Sequence, residues 1–102
     1  MVATSLRTQA IIESIFAPAD RSIVTDILVN ECADNLTSFR NSTEYDLERI
    51  RLAVLKLSDG NTETLQYWIE RSKEDRRDTL SAADFGTTVS HIVWSNQLLF
   101  GT

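Results

Sequence analysis

The stretch EYDLERIRLAVLKLSDGNTETLQYWIERSKEDRRDTLSAADF, residues 44–85, decides the fold of this chain. Gly60 suits the left-handed position just past a helix end, and Asn61 is a residue type that caps the helix after it. The stretch therefore predicts two helices joined by a tight turn, an αα-hairpin. Its apolar residues recur at the spacing of an amphipathic helix: Leu47, Ile50, Val54 and Leu57 before the turn, and Leu65, Trp68 and Ile69 after it.

A short helix is predicted after the hairpin, from Arg76 to about Asp84. Asp75 has the side chain of a helix cap, and Asp78 places a carboxylate three residues later, in the favourable first turn. Leu80, Ala83 and Phe85 are expected to pack inward. In the hairpin, Trp68 is expected in the core and its neighbour Tyr67 at the edge, where the hydroxyl stays in water.

Two helices are predicted upstream of this stretch. The first spans Val2 to Phe16, capped by Thr4 or Ser5, and Pro18 prevents its continuation because the residue before a proline avoids helical geometry. It is expected either in the core or as a detachable arm for a partner. The second, capped by Asp20, is expected to be the most buried, with this apolar stripe: Ile23, Val24, Ile27, Leu28, Cys32, Leu36 and Phe39.

Charged side chains are expected on the outer faces of the helices. Asn41 or Ser42 caps the third helix, which runs to about Ser58, and its pairs Asp46–Arg49 and Glu48–Arg51 are three residues apart, as in exposed helical ion pairs. The only basic cluster alternates with acidic residues, which predicts a solvated face. Its members are Arg71, Lys73, Arg76 and Arg77.

Composition limits the classes of function. The 102 residues carry a net charge of −5, which disfavours binding to nucleic acids and to anionic membranes. One cysteine allows no internal disulfide, and the N-terminal residues lack the unbroken apolar segment of a signal peptide. No segment is long and apolar enough to predict a membrane span. We therefore expect a single-domain cytoplasmic protein.

Three segments, ECADNL, ERIRLAVLKLSDGN and EDRRDTLSAADF, lie within residues 20–85. In these segments the chain resembles a group of short, uncharacterised, all-helical bacterial proteins with no assigned activity. In that group an aromatic residue stands where this chain has Arg76, and glycine often stands where it has Asp84. The resemblance implies an all-α fold and a bacterial cytoplasm, and it supplies no catalytic residues.

The C-terminal tail, residues 85–102, contains no Asp, Glu, Lys or Arg. Such an apolar segment aggregates unless it is covered. Three coverings are open: packing on its own bundle with Val89, Ile92 and Val93 inward, exchange with a second copy, or binding to a different protein. The pattern fits either a helix or a strand. The candidate partner-binding residues are Val89, Ile92, Val93, Trp94, Leu98, Leu99 and Phe100.

No catalytic motif stands out in the sequence. Cys32 lies within an apolar stripe, where a free cysteine behaves as a small hydrophobe, and the one histidine, His91, has no spaced partners for metal binding. The sequence has no glycine-rich phosphate loop and no Glu-x-x-His pair. We expect no catalytic activity, no metal and no cofactor.

The sequence thus predicts an all-α fold: an antiparallel bundle of four main helices, a short fifth helix and an apolar C-terminal appendage. Its function is predicted to be non-catalytic protein interaction, with a basic partner binding the acidic surface or with the tail as the contact. The alternative is a homo-oligomeric structural domain that buries its tail, with room for a small apolar ligand. A helix-turn-helix role in DNA binding is weaker, because the second hairpin helix begins with acid and no early Arg or Lys.

Overall fold

Six α-helices make up most of the computed structural model, which describes residues 3–33 and 44–101. These ranges contain no strand, which confirms the all-α prediction, while the antiparallel four-helix arrangement stays a prediction. The radius of gyration is 12.2 Å, the size expected of one compact unit. The helices are α1 (Leu6–Ile15), α2 (Pro18–Glu31), α3 (Glu44–Ser58), α4 (Thr62–Glu74), α5 (Arg76–Ala82) and α6 (Ser90–Phe100).

Helix α3 lies at the centre of the fold and packs against α1, α4, α5 and α6. The expectation that the second helix is the most buried is therefore wrong. In the apolar stripe predicted for that helix, Ile23 is 54% exposed, and only Val24 and Leu28 are buried within α2. Leu36 and Phe39 of the same stripe lie outside the described residues. In α3 the buried residues are Leu47, Ile50, Arg51, Leu52, Ala53, Val54, Leu55 and Ser58.

Side chains cap three of the helices as the sequence predicts. The Ser5 hydroxyl accepts a hydrogen bond from the backbone N–H of Thr8 at 3.1 Å, which starts α1 at Leu6. Asn61 accepts from the N–H of Thr64 at 3.0 Å, and Asp75 from the N–H of Arg77 at 3.0 Å. These bonds satisfy backbone donors that the first helical turn leaves unpaired.

The start of α2 differs from the prediction. Ala17 occupies the cap position and Pro18 is the first helical residue, so Asp20 lies in the first turn and does not cap the helix. Proline suits this position because its fixed φ is helical and its missing N–H would be unpaired there in any case. The predicted caps of α3, Asn41 and Ser42, lie outside the described residues.

Gly60 is required at the turn between α3 and α4. Its φ is +78°, in the left-handed region, and a Cβ atom at this position would stand 2.7 Å from the carbonyl oxygen of Ile15. The turn therefore packs directly against the end of α1. This close approach positions the hairpin on the first helix.

The remaining predictions for the hairpin and the short helix hold in part. Tyr67 is 55% exposed, as expected, while Trp68 is half-buried against the core. Helix α5 ends at Ala82, two residues before the predicted Asp84. Beyond it, Ala83 and Phe85 are buried as predicted.

None of the helices in the described ranges combines the length and the hydrophobicity that a membrane span requires.

Candidate functional site

The tail forms a helix, α6, which packs on α1 and α3 of its own chain. Of the three ways of covering the tail that the sequence allows, the structure therefore shows packing on its own bundle. Arg7 of α1 holds the helix through its Nη1, which donates to the Ser95 hydroxyl at 2.7 Å and to Oδ1 of Asn96 at 2.7 Å. The Ser95 hydroxyl in turn donates to the carbonyl oxygen of Ile92 at 3.0 Å.

Helix α6 buries two polar side chains against the bundle. His91 and Ser95 are fully buried, whereas Val89 and Val93 are 54% and 52% exposed. The expectation that Val89 and Val93 pack inward is wrong, and Ile92 is only half-buried. In an ordinary amphipathic helix the apolar residues would be the buried ones. Here part of the apolar surface, including Val89 and Val93, is left facing solvent.

The seven candidate partner-binding residues separate into two groups. Trp94 and Leu99 are half-buried against the core, and the Trp94 ring lies 5.8 Å from the ring of Phe85. These two, with the half-buried Ile92, anchor the helix. The exposed members are Val89, Val93, Leu98 and Phe100, of which Leu98 is 42% and Phe100 is 70% exposed.

Three of the exposed residues lie on one side of the helix. Val89, Val93 and Phe100, together with the half-buried Asn96, are separated by four, three and four residues, so they share one face. We call this set the outer stripe of α6. Leu98 falls roughly half a turn away from it, on the side of His91 and Ser95.

A cavity of about 330 Å³ borders the outer stripe. Its lining includes Val89, Val93 and Trp94 from the α6 region, together with Lys56 and Phe85. The ammonium group of Lys56 donates to the carbonyl oxygen of Ala83 at 2.7 Å and lies 5.1 Å from the centre of the Phe85 ring. Its charge is thus partly compensated within the fold. Asp84, Thr87, Ser90 and Gln97 also line the cavity, so its wall is partly polar where it borders the stripe.

His91 is buried in an aromatic setting. The Tyr45 ring meets it edge-on at 5.0 Å, and the Phe85 ring lies at 6.2 Å. Within the described ranges, neither Nδ1 nor Nε2 has a hydrogen-bond partner. Burial lowers the pKa of His91 from its usual 6.5, partly opposed by the negative charge of Glu48. The described residues contain no group of His, Cys, Asp and Glu arranged to hold a metal ion.

Arg51 is the buried charge that the sequence reasoning missed. It was expected on a solvated face with Glu48, but it is only 2% exposed, and Glu48 instead accepts a hydrogen bond from the Ser5 hydroxyl at 2.6 Å. Burial lowers the pKa of Arg51. The position of Arg51, four residues after the apolar Leu47, was the available sign, since that spacing puts it on the inward stripe.

The guanidinium of Arg51 ties the end of α2 to the N-terminal segment. Its Nε donates to the carbonyl oxygen of Cys32 at 2.9 Å, and its Nη2 to that of Leu28 at 3.2 Å. Its Nη1 donates to the carbonyl oxygen of Ala3 at 2.9 Å. Carbonyl groups at a helix C-terminus carry partial negative charge, so a cation is favourable there. The role of Arg51 is structural.

Cys32 is fully buried, and burial raises the pKa of its thiol to about 12. A thiol with so high a pKa is almost entirely protonated at neutral pH and is a poor nucleophile. The prediction that Cys32 fills space in the core is consistent with this environment.

Comparisons with protein-family models, with curated proteins and with solved structures find no match to this chain.

Proposed function

We propose that this chain is a non-catalytic protein-interaction domain and that its contact surface is the outer stripe of α6. The observation that carries the proposal is the orientation of this helix, with His91 and Ser95 buried and Val89, Val93 and Phe100 exposed. Burying the imidazole of His91, whose nitrogens have no partner within the described ranges, costs free energy, and so does leaving apolar side chains in water. A helix with both features is expected to have its outer face covered in the functional state. The expected antiparallel four-helix arrangement is the proposed scaffold that carries this face.

The occupant we propose is a second copy of this chain. The net charge is −5, so two copies repel each other over most of their surface. From Phe85 to Thr102 the sequence has no formal charge, and two copies can meet along α6 without bringing like charges of that segment together. A basic partner would instead select a surface with carboxylates, and the outer stripe has none.

The spacing of the stripe suits helix pairing. Separations of four, three and four residues are those of the a and d positions along the seam of two paired helices. Across a two-fold axis, with the two α6 helices antiparallel, Val89 of one copy would pack near Phe100 of the second copy. Asn96, the polar member of the stripe, would favour one register, as polar seam residues do in coiled coils.

The size of the surface predicts a weak dimer. A helix of 11 residues is about 16 Å long, so the contact falls at or below the lower end of specific interfaces, roughly 1,200 Å² in total. Such interfaces are typical of transient complexes. We therefore expect a dissociation constant in the micromolar range, about 10 to 500 μM.

The test is sedimentation equilibrium of the full chain between about 10 and 1,000 μM, compared with two single-residue variants. Val93→Glu places a charge in the middle of the stripe at a half-exposed position, so the fold should persist while the dimer is lost. Ile23→Glu is the matched control, because Ile23 is 54% exposed on α2 and lies outside the stripe. We expect the control to dimerise like the parent chain.

Two outcomes would refute self-association through α6. The first is a parent chain that stays monomeric up to about 1 mM. The second is equal dimerisation of Val93→Glu and Ile23→Glu. The first result, joined to salt-sensitive binding of a basic protein, would favour capture of a basic partner by the acidic surface. The second would move the interface to another face of the molecule.

A further inference from the structure

A second cavity, of about 140 Å³, lies between α3 and α5. None of its lining residues belongs to α6, so it is separate from the proposed contact surface. Two apolar side chains, Ile50 and Leu80, contribute to its wall. The other lining residues are charged: Asp46, Arg49, Arg76 and Arg77.

The charge of this cavity opposes that of the whole chain. Among the described lining residues, three guanidinium groups stand beside one carboxylate, in a chain whose net charge is −5. In the described parts of the chain, Arg49 and Arg77 make no ion pair with a carboxylate. No carboxylate of the described residues therefore neutralises the positive charges of Arg49 and Arg77.

The other members of the basic cluster behave as the sequence predicts. Arg71 pairs with Asp78 at 3.4 Å, and Lys73 pairs with Glu31 at 3.1 Å and with Glu70 at 3.0 Å. The bond to Glu70 is the main reason that the pKa of Lys73 is raised. The neutralised face is thus formed by Arg71 and Lys73, whereas Arg76 and Arg77 line the cavity with Arg49.

Arg49 has an unused hydrogen-bond donor. Its Nη2 donates to the carbonyl oxygen of Phe85 at 2.5 Å, which fixes the guanidinium between α3 and the segment after α5. Its Nε is buried, and no acceptor for it is found among the residues that the structure describes. A buried N–H without an acceptor is unfavourable, and an anion in the cavity would offset this cost through its attraction to the same guanidinium group.

We infer that this cavity is a binding site for one tetrahedral oxyanion of the phosphate type, held by Arg49, Arg76 and Arg77. Guanidinium groups are suited to phosphate because their planar N–H donors match its oxygens in pairs. The volume corresponds to about four or five water molecules, at roughly 30 Å³ each, which is enough for one phosphate group. It is below the range of about 300 to 1,000 Å³ typical of sites for larger ligands. The ligand is therefore inorganic phosphate or the terminal group of a small phosphate monoester.

The experiment is a titration of the ¹⁵N-labelled full chain with sodium phosphate, at constant ionic strength and pH, followed by NMR of the arginine Nε–H groups. The Arg49 Nε–H signal should shift in a saturable manner, with a dissociation constant of about 0.1 to 5 mM. Arg77→Gln removes a guanidinium from the cavity at an exposed position and should weaken binding at least fivefold. Arg71→Gln, outside the cavity, is the matched control and should change the affinity less than twofold.

Further ligands distinguish the source of the anion. Phenyl phosphate binding as tightly as inorganic phosphate would assign the site to monoesters, whereas weaker binding would assign it to the free ion. Either result supports the inference. It is overturned if the Arg49 signal does not saturate by about 50 mM phosphate, if planar acetate binds equally well, or if Arg71→Gln weakens binding as much as Arg77→Gln does. The test is independent of self-association, because Val93→Glu should leave phosphate affinity unchanged.

Discussion

Replacing His91 by leucine should make the protein more stable at neutral pH. The imidazole is fully buried, and its two nitrogens have no hydrogen-bond partner within the described ranges. Relieving buried, unpaired polar atoms is worth about 1–3 kcal/mol, and losing the edge contact with Tyr45 costs about 0.5–1.5 kcal/mol. Leucine is similar in volume, so we expect a net gain of about 1 kcal/mol in the free energy of unfolding at pH 7.

The gain should grow as the pH falls. In the folded state burial lowers the pKa of His91 below its usual 6.5, so below that pH the unfolded chain binds the proton more readily. The positive charges of Arg49 and Arg7 act in the same direction, and the negative charge of Glu48 opposes them. The contribution of His91 to stability is therefore intact above about pH 6.5 and decreases below it, by at most ~1.4 kcal/mol per pH unit.

The assay is urea denaturation of the parent chain and of His91→Leu at intervals between about pH 8 and pH 5. Carboxylates also titrate in the acidic range, so the informative quantity is the difference in unfolding free energy between the two proteins at each pH. His91→Gln, which keeps a polar side chain without a titrating group, is the control for the loss of polarity alone. A constant difference across this range, or a leucine variant that is less stable at pH 7, would refute the reasoning.

Three further predictions concern Arg51, the two glycines with positive φ, and Cys32. Arg51→Met should lower the unfolding free energy by about 3–5 kcal/mol, since it removes charge-assisted hydrogen bonds to the carbonyl oxygens of Cys32, Leu28 and Ala3. Urea titration measures this, and a loss below about 1 kcal/mol would contradict it. Gly60→Ala should lower the unfolding free energy by about 2–4 kcal/mol, because Gly60 has a positive φ and lies close to the Ile15 oxygen. Gly101 also has a positive φ but is surrounded by open space, so Gly101→Ala should lower it by only about 1–2 kcal/mol. Cys32 should react with a thiol reagent at pH 8 only as fast as the protein unfolds, and rapid labelling of the native state would show that it is accessible.

The αα-hairpin and the short fifth helix could be predicted because their boundaries depend on neighbouring residues. Asn61 and Asp75 cap the helices that follow them, and Gly60 takes the left-handed conformation that a tight turn requires. Such preferences act within a few residues and do not require the rest of the fold. The C-terminal end of α3 at Ser58 could be predicted for the same reason, since its apolar spacing persists almost to that residue.

The position of each helix within the fold could not be predicted in this way. Periodicity shows that a helix has an apolar face, but it does not show how many neighbours cover that face. Ile23 lies on the apolar stripe of α2 and is still 54% exposed, while α3 packs against helices on several sides. The burial of Arg51 has the same origin, because its acceptors come from the distant residues Ala3, Leu28 and Cys32.

Helix α6 shows why the candidate site was predicted only in part. The absence of charge correctly singled out the tail as an unusual surface, but hydrophobicity alone assigns Val89 and Val93 to the core. The observed orientation depends on Arg7, which binds the Ser95 hydroxyl and the Asn96 carboxamide from α1. These bonds hold the side of the helix that carries Ser95 against α1, and Val89 and Val93 lie outside this contact. The same interaction with Arg7 thus accounts for both the burial of His91 and the exposure of the stripe that we propose as the contact between two copies.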